Sequence, residues 1–343
     1  MSWPAARHAY PKGPLMEAFR EHPSRSTYAP VTVIIVNWNS GRLLQQCLEA
    51  LSKQSVTPSS ILVVDNASTD GSIDNLPESE NITVKRADIN LGFAAGNNWA
   101  IEACSTEFIA LLNPDAFPAP GWLEELLHAA ERSPEAAAFA SRMIQHNEPE
   151  LLDGAGDAYH VTGLFWRIGH GRKPSPATLH TRPVFSACAG AALYRRQAVR
   201  EAGGFDEDFF CYGEDVDLGF RLRLSGHTVL YVPKAIAYHV GGGSSGGTQS
   251  DFAAYYGQRN LPWVFLKNMP TTLMWALLPA HILVNVLLIL RAMSRGQGRI
   301  VLRAKWDAAS QLREVWKKRR AIQAQRRVGP RALWPFLHKG WPR

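Results

Sequence analysis

Short aliphatic and β-branched runs recur along the chain, and each stops abruptly in a polar loop. VTVIIV at 31–36 gives way to Asn37-Trp38-Asn39-Ser40-Gly41, and ILVV at 61–64 to Asp65-Asn66-Ala67-Ser68-Thr69-Asp70-Gly71. FIALL at 108–112 ends at Asn113-Pro114-Asp115. Apolar runs this short, bounded by turn residues, predict buried strands. Leu43, Leu44, Cys47, Leu48 and Leu51 recur at helical spacing after Ser40, a natural helix cap, and Ile82-Thr83-Val84 predicts a further strand. Strands separated by helices predict a right-handed parallel sheet. Such sheets bind ligands beyond the carboxyl ends of their strands, which is where these polar residues gather. Ordinary turns are the plainer reading of any one loop, because Asn, Asp, Ser and Gly dominate turns anyway.

The pattern weakens between 150 and 182, which reads as a long loop region able to shape an acceptor pocket. Order returns at 187–194. A helix is predicted at 218–224, closed by Gly226, and a strand at 229–232; His239 and a glycine-rich tract at 241–247 follow. Residues 271–290 reach membrane-span length but are interrupted by Pro279, His281 and Asn285. Beyond them Leu302, Trp306, Ala309, Leu312 and Trp316 recur at three- and four-residue steps among Arg303, Lys305, Arg313, Lys317 and Arg320, predicting a basic amphipathic helix. The domain map is therefore an extended N-terminal arm at 1–30, an α/β domain at 31–255, and a helical, apolar-then-basic region at 256–343.

Charge sharpens this map. The 343 residues carry a formal net charge of +7, yet residues 291–343 alone hold 15 Lys and Arg against Asp307 and Glu314. The remainder is mildly acidic, so the basic tail wants a polyanion, either an anionic lipid surface or nucleic acid. No nucleic-acid motif accompanies the charge, and lipid is the expected partner. Cys47, Cys104, Cys188 and Cys211 lack any C-x-x-C spacing, which disfavours a zinc site or disulfide scaffold and fits a reducing compartment. The first 30 residues hold no apolar run of signal-peptide length, so the chain is expected to stay in the cytoplasm.

Several residues carry candidate chemistry. Asp115, at a strand end, could hold a hard divalent cation through oxygen; an Asp in an Asn-Pro-Asp turn is the alternative. Glu214, Asp215 and Asp217 crowd three carboxylates into four positions, which requires a cation, an Arg or a helix N-terminus to hold them. Asp217 sits four residues from Arg221 and reads as a structural ion-pair residue. Asp215 is a candidate general base, with aromatics upstream (Phe205, Phe209, Phe210, Tyr212) favouring a partly dehydrated pocket; helix-dipole acids are the plainer reading. Asp65 could take the imide edge of a pyrimidine or simply form an Asx turn. The segment 90–98, with Asn97 and Asn98, places small residues and amides before a helix, suiting an approach to phosphate or sugar hydroxyls. It is not a G-x-G-x-x-G pattern, so a dinucleotide site is not supported. The glycines after His239 suit a mobile lid over phosphate or a simple linker.

Taken in order, VTVIIVNWN, ILVVDNASTDGS, NLGFAAGNN, LLNPD, GGFDEDFFCYGEDVDLGFRLRLSG and YHVGGGS resemble the family 2 inverting glycosyltransferases of GT-A fold. The likeness spans about 31–245 and is strongest to rhamnosyltransferase- and galactofuranosyltransferase-like members that build cell-surface polysaccharides. It implies a Rossmann-like, mostly parallel sheet flanked by helices, a nucleotide diphosphate-sugar donor (UDP- or dTDP-linked), and Mg²⁺ or Mn²⁺. It places Asp215 at the catalytic base, Asp115 at the main metal and diphosphate ligand, and His239 at the residue completing the metal site. Asn113 stands where the first acid of a D-x-D motif would be. Asp65 falls on the base-contacting position, Asn97 where many relatives carry Arg, Asn39 and Asn98 join the donor-binding candidates, and Glu214 lies on the acceptor side. A lipid-linked or oligosaccharide acceptor and a place on the cytoplasmic face of the inner membrane, peripheral or re-entrant, are the corresponding expectations. A sugar nucleotidyltransferase is disfavoured because residues 37–42 supply no glycine-rich phosphate loop with Arg and Lys. A non-catalytic basic membrane-binding protein leaves the cluster at 214–217 unexplained.

Overall fold

The computed structural model describes residues 29–77, 79–242 and 250–340. Nearly all of the expected N-terminal arm, and most of the glycine-rich tract, lie outside the described residues. Among these residues the strands are β1 (Ala29–Asn37), β2 (Pro58–Asp65), β3 (Ile82–Arg86), β4 (Phe108–Leu112), β5 (Ala116–Pro118) and β6 (Ala136–Gln145). They continue as β7 (Leu152–Gly154), β8 (Asp157–Tyr159), β9 (Phe165–Arg167), β10 (Arg182–Pro183), β11 (Ala191–Arg195) and β12 (Thr228–His239). The helices are α1 (Leu43–Leu51), α2 (Gly92–Ala103), α3 (Trp122–Arg132), α4 (Arg196–Glu201) and α5 (Glu214–Leu224), then α6 (Asp251–Asn268), α7 (Thr271–Ser294), α8 (Gly298–Ser310), α9 (Leu312–Gln325) and α10 (Pro330–Leu333).

The main sheet runs β10-β12-β6-β11-β4-β1-β2-β3, with β5 beside β12 and β7 beside β6. β1 pairs in parallel with β2 and β4, and β2 with β3, which brings Asn37 level with Asp65 at the strand exits. The sheet is mixed rather than wholly parallel. The chain approaches β11 from the exit side, so this strand runs antiparallel between β4 and β6, and Ala191 starts opposite Leu112. That reversal sets the turn at 188–190 against the end of β4.

Two apolar layers cover the sheet. Leu44, Cys47 and Leu48 of α1 and Trp122, Leu123 and Leu126 of α3 bury one face; Ala94 and Ile101 of α2, Val199 of α4, and Leu218 and Leu222 of α5 bury the other. A third cluster joins Phe209 and Phe220 to Trp263 and Phe265 of α6, Met274 of α7 and Val315 of α9. The helical appendage thus packs directly on the α/β body, and the boundary expected at 255/256 falls inside α6.

Several local expectations are corrected. Ser40 does not cap α1: Arg42 occupies that place with no side-chain cap, and the Ser40 hydroxyl donates instead to Asn37 Oδ1. The helix expected at 218–224 starts at Glu214, where Gly213 in the left-handed region (φ +86°) turns the chain. Extended pairing with β5 and β6 prolongs the strand expected at 229–232 to His239. The region 150–182 is not one long loop but carries β7, β8 and β9. The single basic helix breaks at Gln311 into α8 and α9.

Asn37 is the hub of the strand exits. Fully buried, it reaches Asp65 Oδ1 (3.3 Å), Ser68 Oγ (3.1 Å) and Ser72 Oγ (2.9 Å) with its amide nitrogen, tying the loop after β1 to the loop after β2. Asn37→Ala should cost about 1–3 kcal/mol, because buried partners lose their bonds; a chemical-denaturation midpoint that does not move would contradict this role.

Candidate active site

The exits of β1, β2, β4 and β12 and the turn before β11 converge on one cleft. At its floor lies Asp65, buried, its carboxylate accepting from Asn37. Asn39 has φ +47° and half-buried surroundings; its Oδ1 accepts from Thr69 N–H (2.8 Å) and its own N–H donates to Ser68 Oγ (3.1 Å), so it pins the two exit loops together.

Asp115 is buried one step beyond β4. His239, the last residue of β12, brings Nε2 to 3.2 Å from Asp115 Oδ1 and 3.4 Å from Asn113 Nδ2, while its Nδ1 donates to Asp153 Oδ2 at 2.9 Å. Asp153 lies on β7 and is also paired with Arg167 and, at 3.4 Å, His170. Burial opposes charge on His239, but the carboxylates of Asp115 and Asp153 overcome it and raise its pKa to about 9. Asp153 is likewise disfavoured by burial, yet Arg167, His170 and His239 hold its carboxyl well below the ordinary range.

A carboxylate oxygen and an imidazole nitrogen at this separation suit a divalent cation, and a carboxylate on the far ring nitrogen is the usual means of orienting such a histidine. Among the described residues no group of three or more His, Cys, Asp or Glu is arranged to hold a metal. Asp115 and His239 could together offer a divalent cation two protein donors.

Across the cleft, Asp215 lies in the first turn of α5. Its Oδ2 accepts from Ala189 N–H (3.2 Å) and its Oδ1 from Val216 N–H (2.8 Å). Gly190, the next residue of that turn, accepts from Asn113 N–H (2.9 Å). A Cβ at Gly190 would stand 3.1 Å from Met143 Cε and 3.3 Å from Asn113 Nδ2, tight enough to favour glycine. The metal-type pair and the candidate base are thus braced by one turn. Burial raises the Asp215 carboxyl, while the Ala189 N–H and the Arg167 cation pull it back down. Glu214 is buried with Oε2 lacking a hydrogen-bond partner, and burial and then Asp215 push its carboxyl well up. Asp157, bonded by Ser186 Oγ at 3.0 Å, is raised well above its usual range by burial and by Asp215. Asp217 faces away into the fold, where Arg221, Lys267 (2.8 Å) and Asn268 Nδ2 (2.6 Å) neutralise it. The structural ion-pair reading of that residue therefore holds.

The loop before Asp215 is strained: Phe210 and Tyr212 adopt φ of +61° and +67°. α6 holds it there. Asn260 Nδ2 donates to the carbonyls of Phe209, Cys211 and Tyr212 (3.0, 2.9 and 2.7 Å), and Arg259 donates to those of Asp208 and Phe209. The Phe210 carbonyl in turn accepts the N–H groups of Phe93 and Ala94 at the start of α2. Gly92, with φ +82°, is required here, since its Cβ would lie 2.5 Å from the Phe210 ring.

This arrangement changes the reading of segment 90–98. The N-terminal amides of α2 are occupied by Phe210 rather than free for phosphate. Asn97 is buried and donates to Phe93 O (2.8 Å) within its own helix. Asn98 donates to Phe205 O and Glu207 Oε1 and accepts from Phe205 N–H, so its amide ties α2 to the loop before α5 instead of facing the cleft. Asp153, Asp157, Arg167, Arg259 and Asn260 were not singled out from the sequence.

Comparison with known proteins decides the family. The model of "Glycosyl transferase family 2" matches residues 32–203. The chain belongs to this family. It is of rhamnosyltransferase-like type: the N-acetylglucosaminyl-diphospho-decaprenol L-rhamnosyltransferase of Mycobacterium tuberculosis is 33% identical over 236 residues, covering 60% of this chain and 75% of the relative. GalNAc-T7, solved with UDP, GalNAc and Mn²⁺, superposes with TM-score 0.53 at 15% identity, over 68% of this chain and 47% of that one, about half its length. A mannosyltransferase from Pyrobaculum calidifontis, solved with GDP-Man and Mn²⁺, gives TM-score 0.51 at 16% identity over 91% and 88% of the two chains. These likenesses establish the GT-A-type fold.

Asn260→Ala would release the three carbonyls that hold the loop before Asp215. Misplacing a reacting group by about 1 Å costs on the order of 10²-fold, so turnover of this glycosyltransferase should fall at least tenfold, with faster amide exchange at 209–213. Unchanged turnover would contradict the bracing role.

Proposed function

We propose that the protein transfers a rhamnose-like sugar from a UDP- or dTDP-linked donor to a hydroxyl of a lipid-linked saccharide, inverting the anomeric centre, during cell-surface polysaccharide assembly. The observation that carries this is the shared turn at 188–190, bonded to Asp215 on one side and to Asn113 on the other. The name of the Mycobacterium tuberculosis relative, which acts on a diphospho-decaprenol-linked sugar, supports the lipid-linked acceptor. One long apolar helix among the described residues and the basic tail support a place at the cytoplasmic face of the inner membrane, peripheral or re-entrant.

Each residue has a defined part. Asp215 accepts the proton of the acceptor hydroxyl as that oxygen attacks the anomeric carbon. The new C–O bond forms on the face opposite the donor oxygen, and the old bond breaks with its electron pair leaving on the diphosphate. One base and no protein nucleophile give inversion. Asp115 and His239 would hold Mg²⁺ or Mn²⁺, which when bound neutralises charge developing on the diphosphate. Asp153 orients His239. Asp65 offers its carboxylate to the imide edge of uracil or thymine, and Asn39 keeps the two exit loops beneath the donor in place. Glu214, buried beside Asp215, lines the acceptor side. Arg167, paired with Asp153, draws the Asp215 carboxyl down against the rise that burial imposes.

Asp215→Asn should lower kcat by roughly 10²–10⁴-fold, the usual contribution of a positioned base, while leaving nucleotide affinity intact. Asp115→Ala should instead abolish the gain in UDP or dTDP affinity that Mn²⁺ or Mg²⁺ gives the unaltered protein in calorimetry. Were metal to make no difference to the unaltered protein, the part given to Asp115 would be wrong.

The base works only when ionised, so activity is lost as pH falls through the Asp215 pKa. Arg167 lowers that pKa; Arg167→Gln should therefore move the acidic limb of the kcat/KM profile to higher pH. A limb that stays in place, or moves down, would remove Arg167 from this role.

A further inference from the structure

α7 is built inside out for a helix facing water. Only 11% of its apolar window is buried. Trp275, Ile282, Val286, Leu290 and Met293, spaced three, four or seven residues apart on one face, are each about half exposed. Its polar residues face the protein. His281 Nδ1 donates to Thr162 O (2.7 Å), and its ring stacks on Phe265 with centroids 4.1 Å apart and planes within 5°. Asn285 Nδ2 donates to His281 O (2.8 Å), while Asn285 Oδ1 accepts from Lys305 Nζ of α8 (2.5 Å), which also donates to Gln258 O of α6 (2.7 Å). The turn between β8 and β9 is fitted to this contact: Gly163, at φ +88°, has no room for a Cβ, which would lie 2.6 Å from His281 Nδ1.

We propose that α7 lies flat in the surface of a lipid bilayer, its outward apolar face among the acyl chains, with α8 and α9 resting beside it on anionic headgroups. The inference deepens the membrane location of the proposed function by fixing a one-sided, in-plane pose. A crossing by α7 would strip His281 and Asn285 from Thr162 and Lys305 and set both against hydrocarbon. Flat docking leaves every one of those bonds intact and covers only the apolar stripe. α8 and α9 supply the charge: Arg299, Arg303, Lys317 and Arg320 are exposed beside Trp306, which is 75% exposed, and Trp316. Tryptophan interleaved with arginine and lysine matches an interface that is apolar below and anionic above. A second copy is the less suitable occupant, because pairing the same patch would bring two tails, each with 15 Lys and Arg against two acids, towards each other.

The test uses the full chain with phosphatidylglycerol/phosphatidylcholine vesicles. Fluorophores are placed on Ala276→Cys or Leu290→Cys in a Cys211→Ser background; the other three cysteines are buried. These two positions are about 21 Å apart along the helix axis. A flat helix gives both labels the same shallow depth with depth-graded quencher lipids, and both stay within one leaflet. Depths that differ by most of the axial separation show a crossing and overturn the proposal. Quenching of the native tryptophans by brominated lipid gives a second reading that needs no substitution. Binding should weaken about tenfold or more when phosphatidylglycerol is replaced by phosphatidylcholine; no flotation with either lipid, together with a dimer in solution, also overturns it. Sugar transfer to a soluble acceptor analogue, measured on the unaltered protein alongside its tryptophan quenching, separates the two claims: failure to bind vesicles with transfer intact removes only the membrane pose, whereas docking without transfer removes the catalytic reading.

Discussion

Ala189 and Gly190 form a turn whose N–H and C=O are given to opposite walls of the cleft, one to Asp215 and the other to the backbone of Asn113. The roles proposed for Asp215 and for the Asp115–His239 pair depend on a fixed separation and tolerate little drift. Hydrogen bonds of fixed length from one rigid turn set their relative position more tightly than two separate loops could. The antiparallel insertion of β11 makes this possible, because it brings the chain into the sheet from the side on which the parallel strands end.

Electrostatics then divides the labour. Asp215, Glu214 and Asp157 share a buried volume in which three charges cannot coexist, so burial and mutual repulsion drive Glu214 and Asp157 towards their neutral forms. Asp215 accepts two backbone N–H groups, from Ala189 and Val216, and the Arg167 cation further offsets the rise that burial imposes on its carboxyl. Opposite it, His239 donates through Nδ1 to Asp153, which is also paired with Arg167.

Much of the sheet was legible in the sequence because buried strands are apolar on both faces, and because each ended in turn chemistry at a site-facing loop. The antiparallel β11 was not, since strand direction leaves no mark in a run such as AALYR. The bracing residues were hidden for a related reason. Arg259 and Asn260 look like ordinary polar residues of an amphipathic helix, and only the tertiary approach of residues 208–212 gives them their partners. Asp153, Asp157 and Arg167 sit where periodicity fails because β7 to β9 are three residues each, too short for alternation to register. Asn98 misled because an amide on a helix beside a candidate phosphate loop looks the same whether it faces ligand or, as here, a neighbouring backbone.

The appendage belongs to the same construction. α6 bonds the strained loop before Asp215, α9 reaches back through Lys318 to Asp206 and Asp208, and α7 is fastened to the turn between β8 and β9. The helices of the appendage therefore also support the loop before Asp215. The central claim is that one carboxylate base acts opposite the leaving diphosphate with no covalent sugar–enzyme stage. Proton NMR of the first product formed from a donor of known anomeric configuration tests it most directly. The account predicts the opposite anomer; a product that retains the donor's configuration would contradict it.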